Sequence, residues 1–268
     1  MSSLRIRWIV AVTCLAGVVA GGVTAVRSQN GVESFAPATL IPQNSLLYIS
    51  YDGRAAHQEG FENTASYEAF YKSGLMDVVN RVINSLLTST PDQSAAKIGE
   101  FVKHLCEHGV TAGMTISTAG GPPLPFLTIV VHDGGKMEPD FGAFLKQAMG
   151  RDVEFDTEEI RERKVTSGVI PNSPGVEIGW WKEGNHLMFA AGLGAINSTL
   201  DVATGDAENV TTSAAYQKFA LNAIEFERMT MIWFDFGLLR ETYGTAPIPL
   251  PNPNPVTANM ILEALGLH

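Results

Sequence analysis

Cysteine is almost absent from this chain of 268 residues, which contains only two. Cys14 lies in an N-terminal apolar stretch, so removal of that stretch would leave Cys106 alone. A single cysteine cannot form a disulfide within the chain, so the protein must rely on its apolar core for stability. The chain is 45% apolar and 17% charged, and a chain of this length can bury such a core.

Basic residues are also scarce, since 18 Lys and Arg stand against 28 Asp and Glu, giving a formal net charge of −10. Nucleic-acid binding needs clustered Lys and Arg to neutralise phosphates, and no basic run of that kind is present. We therefore expect no nucleic-acid partner. The expected partners are an unidentified protein or another component of the cell envelope.

Long apolar runs are missing except at the N-terminus, where residues 9–26 carry no charge and follow Arg5 and Arg7. A basic head followed by an apolar stretch with small residues is typical of a secretory signal, which would be cleaved after Ala20 or Ala25. The stretch is also close to the length of a membrane span, so an uncleaved anchor is the alternative. Both interpretations predict export across the inner membrane to the periplasm or the cell exterior. Membrane contact is then expected only through this stretch, and only if it is retained.

Hydrophobic periodicity predicts strands that come as hairpins, with helices between the hairpins. VTAGMTIS alternates apolar with small polar residues and is followed by FLTIVVH, while GVEIGWW and NHLMFAA flank a second turn. Apolar residues spaced by three and four predict helices over 67–87, 94–108, 140–150 and 193–205. This order favours an α+β fold of mainly antiparallel hairpins with helices packed on one face.

Polar residues before several helical patterns are predicted to cap the helices. Asp140, Ser213 and Asp235 each precede an apolar-periodic segment, and each has a side-chain oxygen that can accept a backbone N–H. Asp235 also closes the strand MTMIWF, so it marks a boundary between a strand and a helix.

The chain is predicted to divide into a signal or anchor, a linker, one α+β domain and the start of a second unit. A second unit is predicted because SLLYISYD and TMIWFD are both aromatic-rich strands that end in aspartate. The Pro-rich stretch near the end is then a spacer. The boundaries are 1–27 for the signal or anchor, 28–40 for the linker, 41–228 for the domain and 229–268 for the incomplete second unit.

Five segments carry a resemblance to a known family: LIPQNSLLYISYDG, KSGLMDVVNRV, GVEIGWWKEGNHLMFAAG, TTSAAYQKFALN and MIWFDFGLL. Together they resemble an uncharacterised, domain-of-unknown-function family of exported bacterial proteins, best represented among planctomycete-type bacteria. The resemblance covers about residues 36–268. It implies export and a repeated α+β architecture, and it implies no activity, cofactor or catalytic residue.

The segment HLCEH contains the strongest candidate for chemistry, because His104, Glu107 and His108 fit the H-x-x-E-H signature of inverzincin metallopeptidases. A catalytic zinc takes three protein ligands and a water, and the downstream Glu183 lies in a predicted hairpin turn rather than on a helix. At 100° per residue, the three side chains fall opposite the apolar face of their helix, as a solvated face would. We expect neither a metal nor any other cofactor.

The tryptophan pair and two short glycine-containing motifs give only weak indications of a binding site. Trp180 and Trp181 point to opposite faces of one strand, so one is expected in the core and the other is a candidate exposed binding aromatic. Gly192-Leu193-Gly194 lacks the third glycine of a dinucleotide fingerprint. The DFG at Asp235 lacks the other kinase motifs. The six histidines show no spacing that assembles a catalytic set.

These features favour an uncharacterised exported protein that acts as a non-catalytic envelope or interaction module. A zinc-dependent hydrolase that uses HLCEH is one alternative. A binder of a small ligand or lipid, in a groove between helix 67–87 and the sheet, is the other.

Overall fold

The computed structural model describes most of the chain from Ala36 onward. The described residues are 36–62, 65–74, 77–78, 81, 94–117, 123–149, 153–170, 175–220, 229–246 and 256–266. The predicted signal or anchor lies outside them, as do most of the predicted linker and about half of the predicted helix 67–87.

Eight strands and seven helices of seven or more residues form the described structure. The strands are β1 Ser45–Tyr51, β2 Val110–Ser117, β3 Leu124–Val131, β4 Asp156–Ile160, β5 Arg163–Val169, β6 Glu177–Glu183, β7 His186–Gly192 and β8 Thr230–Phe234. The helices are α1 Arg54–Glu62, α2 Ser94–His108, α3 Glu138–Met149, α4 Ala195–Thr204, α5 Ala214–Ala220, α6 Phe236–Tyr243 and α7 Ala258–Ala264. Shorter turns are the 3₁₀ segments Pro37–Leu40, Gly134–Met137 and Val210–Thr212, a helical turn Ala65–Tyr67 and the π-turn Glu68–Lys72.

All eight strands belong to one sheet in the order β4-β5-β6-β7-β3-β2-β1-β8, and every pair is antiparallel. The expected hairpins β2–β3 and β6–β7 are adjacent pairs within it. The prediction of an α+β fold with antiparallel sheet is therefore confirmed.

Helices cover both faces of the sheet, and the expectation that they pack on one face is wrong. Trp181 lies in a core with Ile196 and Leu200 of α4, on what we call the α4 face. Its neighbour Trp180 lies in a second core with Leu105 of α2 and Phe141 of α3, on the α2 face. Successive strand residues point to opposite faces, so a strand with two adjacent buried tryptophans requires cover on both sides.

The segment after residue 228 joins the same sheet as the residues before it. β8 pairs with β1 from Leu47↔Phe234 to Tyr51↔Thr230, and it forms one edge of the sheet. Leu239 of α6 and Ala258 of α7 pack on Leu46 in a third buried cluster. The boundary predicted at residue 229 therefore does not separate two sheets within the described part of the chain.

Helix ends agree with the predicted caps at two of three positions. Asp235 Oδ1 accepts the Leu238 N–H at 2.8 Å, and Ser213 Oγ accepts the Tyr216 N–H at 3.1 Å. Asp140 instead lies inside α3, because the 3₁₀ turn Gly134–Met137 leads directly into a helix that begins at Glu138.

An ion pair on the α4 face connects Arg163 at the start of β5 to Glu183 at the end of β6. Arg163 Nε and Nη2 donate to the two carboxylate oxygens of Glu183 at 2.6 and 2.8 Å, and Trp181 Nε1 donates to Glu183 Oε2 at 3.2 Å. The Glu183 side chain is 6% exposed. A buried carboxylate needs such partners, because desolvation of an unpaired charge is costly.

We expect Arg163→Met to lower the free energy of unfolding by about 3 kcal/mol, because Glu183 would remain buried without its partner. The matched control is Lys72→Met, which breaks the exposed pair between Lys72 and Glu68 and is expected to cause no measurable loss. Urea denaturation at neutral pH measures both. Equal losses in the two variants would show that the Arg163–Glu183 pair adds nothing to the core.

Candidate functional site

Both candidate binding aromatics are buried, so the hypothesis that one of them is exposed is wrong. Trp180 is 3% exposed and Trp181 is fully buried. Trp180 makes edge contacts with Phe141 and Phe155, with ring centroids 5.7 and 4.8 Å away. The two helical layers that cover the sheet account for this burial.

The HLCEH side chains His104, Glu107 and His108 are partly exposed, as expected of a solvated face, but they also contact other elements. Glu107 receives a forked hydrogen bond from Arg54 of α1, with Nη2 to Oε2 at 2.9 Å. His104 Nε2 lies 2.8 Å from the backbone oxygen of His132, and the His104 and His108 rings stack at 4.4 Å. Glu107 and His104 are therefore already bonded to other parts of the chain.

The donor set for a zinc ion is also not assembled among the described residues. No group of three His, Cys, Asp or Glu side chains there is placed to hold a metal ion. Glu183, which the spacing offered as a third ligand, binds Arg163. The zinc-hydrolase hypothesis therefore receives no support from this geometry.

Five histidines, scattered in the sequence, lie at one end of the sheet. β1 and β3 end there, and β2 and β7 begin there. The His132 and His186 ring centroids are 5.9 Å apart, and Asp133 donates its N–H to His186 Nδ1 at 3.2 Å. His104 contacts the backbone of His132, His108 stacks on His104, and His57 Nε2 lies 3.4 Å from Asp52 Oδ2.

An open pocket of about 270 Å³ lies beside this cluster, on the α4 face. We call it the polar pocket. Its polar lining comes from Tyr48, Ser50, Asp52, Thr111, His132 and Tyr216, and its apolar lining from residues 36–38 and Met231.

Strand pairing places the polar side chains of this pocket next to one another. Ser50 of β1 lies opposite Thr111 of β2, and their hydroxyl oxygens are 3.3 Å apart. Ser50 Oγ donates to Asp52 Oδ1 at 3.3 Å, and Thr111 Oγ1 lies 2.8 Å from His132 Nε2. The result is a continuous row from Asp52 through Ser50 and Thr111 to His132.

A close backbone crossing holds Asp52 beside β2. A Cβ on Gly109 would lie 2.2 Å from the Tyr51 oxygen, and one on Gly53 would lie 2.3 Å from the His108 carbonyl carbon. Both residues also have positive φ, +96° and +82°, which favours glycine. Only glycine at both positions lets the end of β1 and the start of β2 approach so closely.

Burial sets the protonation of the two ring systems at the floor of the pocket. Burial is the main cause that lowers the pKa of His132 to about 4, so the ring is neutral at neutral pH. The pKa of the Tyr48 hydroxyl is raised, first by burial and then by Tyr216. Both groups are therefore uncharged, and Asp52 is the charged side chain of the lining.

This arrangement is suited to hydrogen bonding rather than to bond cleavage. Thr111 is hydrogen-bonded to His132, as a nucleophile would be to its base, but Thr111 is only 1% exposed. A histidine with so low a pKa is also a weak base near neutral pH. Ser50 and Asp52 are partly exposed and can contact a ligand.

An apolar pocket of about 390 Å³ lies on the other face, between the sheet and α6. Its lining includes Leu46, Met114, Phe234, Leu239 and Ile261.

No helix within the described ranges is long and apolar enough to cross a bilayer. No protein-family model, curated protein or solved structure matches the chain, so its function has to be inferred from these residues.

Protonation of His132 is expected to make stability depend on pH. Between about pH 6.5 and pH 4 the unfolded chain binds a proton at this residue and the folded chain does not. The free energy of unfolding should therefore fall by up to about 3 kcal/mol as the pH is lowered through that window. Urea denaturation at several pH values, with His132→Gln compared to wild type, measures the difference in slope. Identical slopes would mean that His132 does not remain neutral in the folded protein.

Proposed function

We propose that this chain is a non-catalytic binding module of an exported bacterial protein, and that it holds a small ligand in the polar pocket. The observation that carries the proposal is the row Asp52–Ser50–Thr111–His132 at an open concave site. Convergent polar groups and a perturbed pKa in one pocket are typical of a ligand site.

Export is supported by the N-terminal sequence. Arg5 and Arg7 precede the uncharged stretch 9–26, and a chain with Cys106 as its remaining cysteine needs no disulfide after processing. The resemblance to the exported bacterial family points the same way. The signal could equally be retained as an N-terminal helix that anchors the protein to the membrane.

The absence of catalysis is supported by the chemistry of the lining. Thr111 is too buried for attack on a substrate, and His132 is neutral but weakly basic. The candidate metal ligands His104 and Glu107 are bonded elsewhere. These arrangements favour an interaction module over a hydrolase.

A lipid or other apolar molecule is the second candidate ligand. The apolar pocket favours it, because its exposed lining is almost wholly apolar and the Tyr243 hydroxyl on its border bonds Pro123 O at 3.0 Å. About half of residues 67–87, where a groove was expected, lie outside the described residues.

A repeated unit that starts near residue 229 is also part of the proposal. The strand-then-aspartate pattern at Asp52 and Asp235 supports it.

Export can be measured with residues 1–40 fused to a phosphatase that is active only outside the cytoplasm. We expect activity, and N-terminal sequencing should find Gly21 or Val26 if the signal is cleaved. The control variant Val12→Asp/Leu15→Asp interrupts the apolar stretch and should keep the fusion inactive. An inactive wild-type fusion would overturn the export proposal.

Ligand binding can be measured by an NMR screen of small polar and apolar fragments against the protein that begins at residue 27. Ala36 lies exposed at the rim of the polar pocket, so Ala36→Trp should abolish binding there. The matched control is Ala143→Trp, an exposed position on α3 at the opposite face of the sheet. If no fragment distinguishes the two variants, the polar pocket is not a ligand site.

A further inference from the structure

The polar hydrogen atoms of the row Asp52–Ser50–Thr111–His132 are already used in hydrogen bonds within the protein. Ser50 uses its single hydroxyl hydrogen on Asp52 Oδ1 at 3.3 Å, because a carboxylate only accepts. Thr111 is then the donor in the contact of 3.3 Å between the Thr111 and Ser50 hydroxyl oxygens. Since the Thr111 hydrogen is used there, we assign the hydrogen between Thr111 Oγ1 and His132 Nε2, which lie 2.8 Å apart, to Nε2.

The hydrogen bonds of the row therefore all run in one direction, from His132 through Thr111 and Ser50 to Asp52. Each hydrogen atom on the row has an acceptor within the protein. Thr111 is 1% exposed and does not reach a ligand. Lone pairs of the partly exposed Ser50 and Asp52 remain to accept from a ligand.

The charge of the pocket and its unused acceptors favour the same kind of ligand, a positively charged hydrogen-bond donor. Asp52 is the charged side chain among the lining residues, and its side chain is 44% exposed. His57 contacts Asp52 Oδ2 at 3.4 Å but does not line the pocket. An anion would meet Asp52 with no cationic lining residue to balance it. A cation would meet Asp52 directly, within the field of a chain of net charge −10.

We propose that the ligand of the polar pocket is a small primary amine in its ammonium form, bound through Asp52 and Ser50. An ammonium has three N–H donors and no acceptor, which complements a lining of acceptors. This inference rests on the proposed ligand-binding function and adds the chemical class of the ligand. The apolar wall of Ala38 and Met231 suits a short alkyl chain, and the volume of about 270 Å³ limits the ligand to a few heavy atoms.

Three probes of the same length and different charge test the class of ligand: n-butylammonium, 1-butanol and butanoate. Binding to the protein that begins at residue 27 is followed by NMR titration at pH 7 and low salt. We expect saturable binding of butylammonium, and affinity for the other two at least about tenfold weaker, because hydrogen bonds to charged groups contribute most. Added sodium chloride should weaken butylammonium binding.

Two variants locate the binding. Asp52→Asn should weaken butylammonium binding by about tenfold or more, while Asp156→Asn removes the same charge from an exposed position on β4 and should not. Circular dichroism checks that both variants fold. Because the probe series is compared on wild type, the result does not depend on the stability of either variant.

The outcomes separate this inference from the proposal on which it rests. Stronger binding of 1-butanol or butanoate, lost in Ala36→Trp, would keep the ligand site and overturn the amine class. Butylammonium binding that is unchanged in Asp52→Asn would also overturn the amine class. Failure of all three probes, together with a fragment screen that does not distinguish Ala36→Trp, would overturn the ligand site itself.

Discussion

Burial of the sheet on both faces is the constraint on which the rest of this structure depends. Each central strand sends alternate side chains into two separate cores, so a polar side chain in mid-strand cannot reach bulk water. Ser45 therefore bonds Thr115 at 3.0 Å, and Thr128 bonds Thr199 of α4 at 2.9 Å, with all four side chains buried. Such pairs satisfy the polar atoms and also join β1 to β2 and β3 to α4.

The same requirement produces the polar pocket at the end of the strands. Ser50 and Thr111 pair across β1 and β2 as Ser45 and Thr115 do, but here the row continues to Asp52 and His132 and reaches an open surface. The close backbone approach at Gly53 and Gly109 holds the end of β1 beside the start of β2 at this point. A network that satisfies buried groups inside the sheet thus leaves unused acceptors where the sheet ends.

Antiparallel pairing also explains why histidines so far apart in sequence meet. His132 directly follows β3, His186 begins β7 and His108 ends α2 just before β2, so each lies at the same end of the sheet. Buried His132 is neutral because desolvation outweighs the nearby negative charge of Asp52. The acidic character of the whole chain is therefore not offset inside the pocket.

Local sequence determined much of this protein. The hairpins at 110–131 and 177–192, helix 94–108 and the caps at Ser213 and Asp235 follow from periodicity and from side chains that bond their own neighbours. Tertiary structure alone decided that helices cover both faces, that Trp180 and Trp181 are both buried, and that β8 joins β1. It also decided that Ser50, Thr111 and His132 share one pocket. These outcomes depend on contacts between residues distant in the chain, and periodicity within one segment carries no information about which segment will cover it or pair with it.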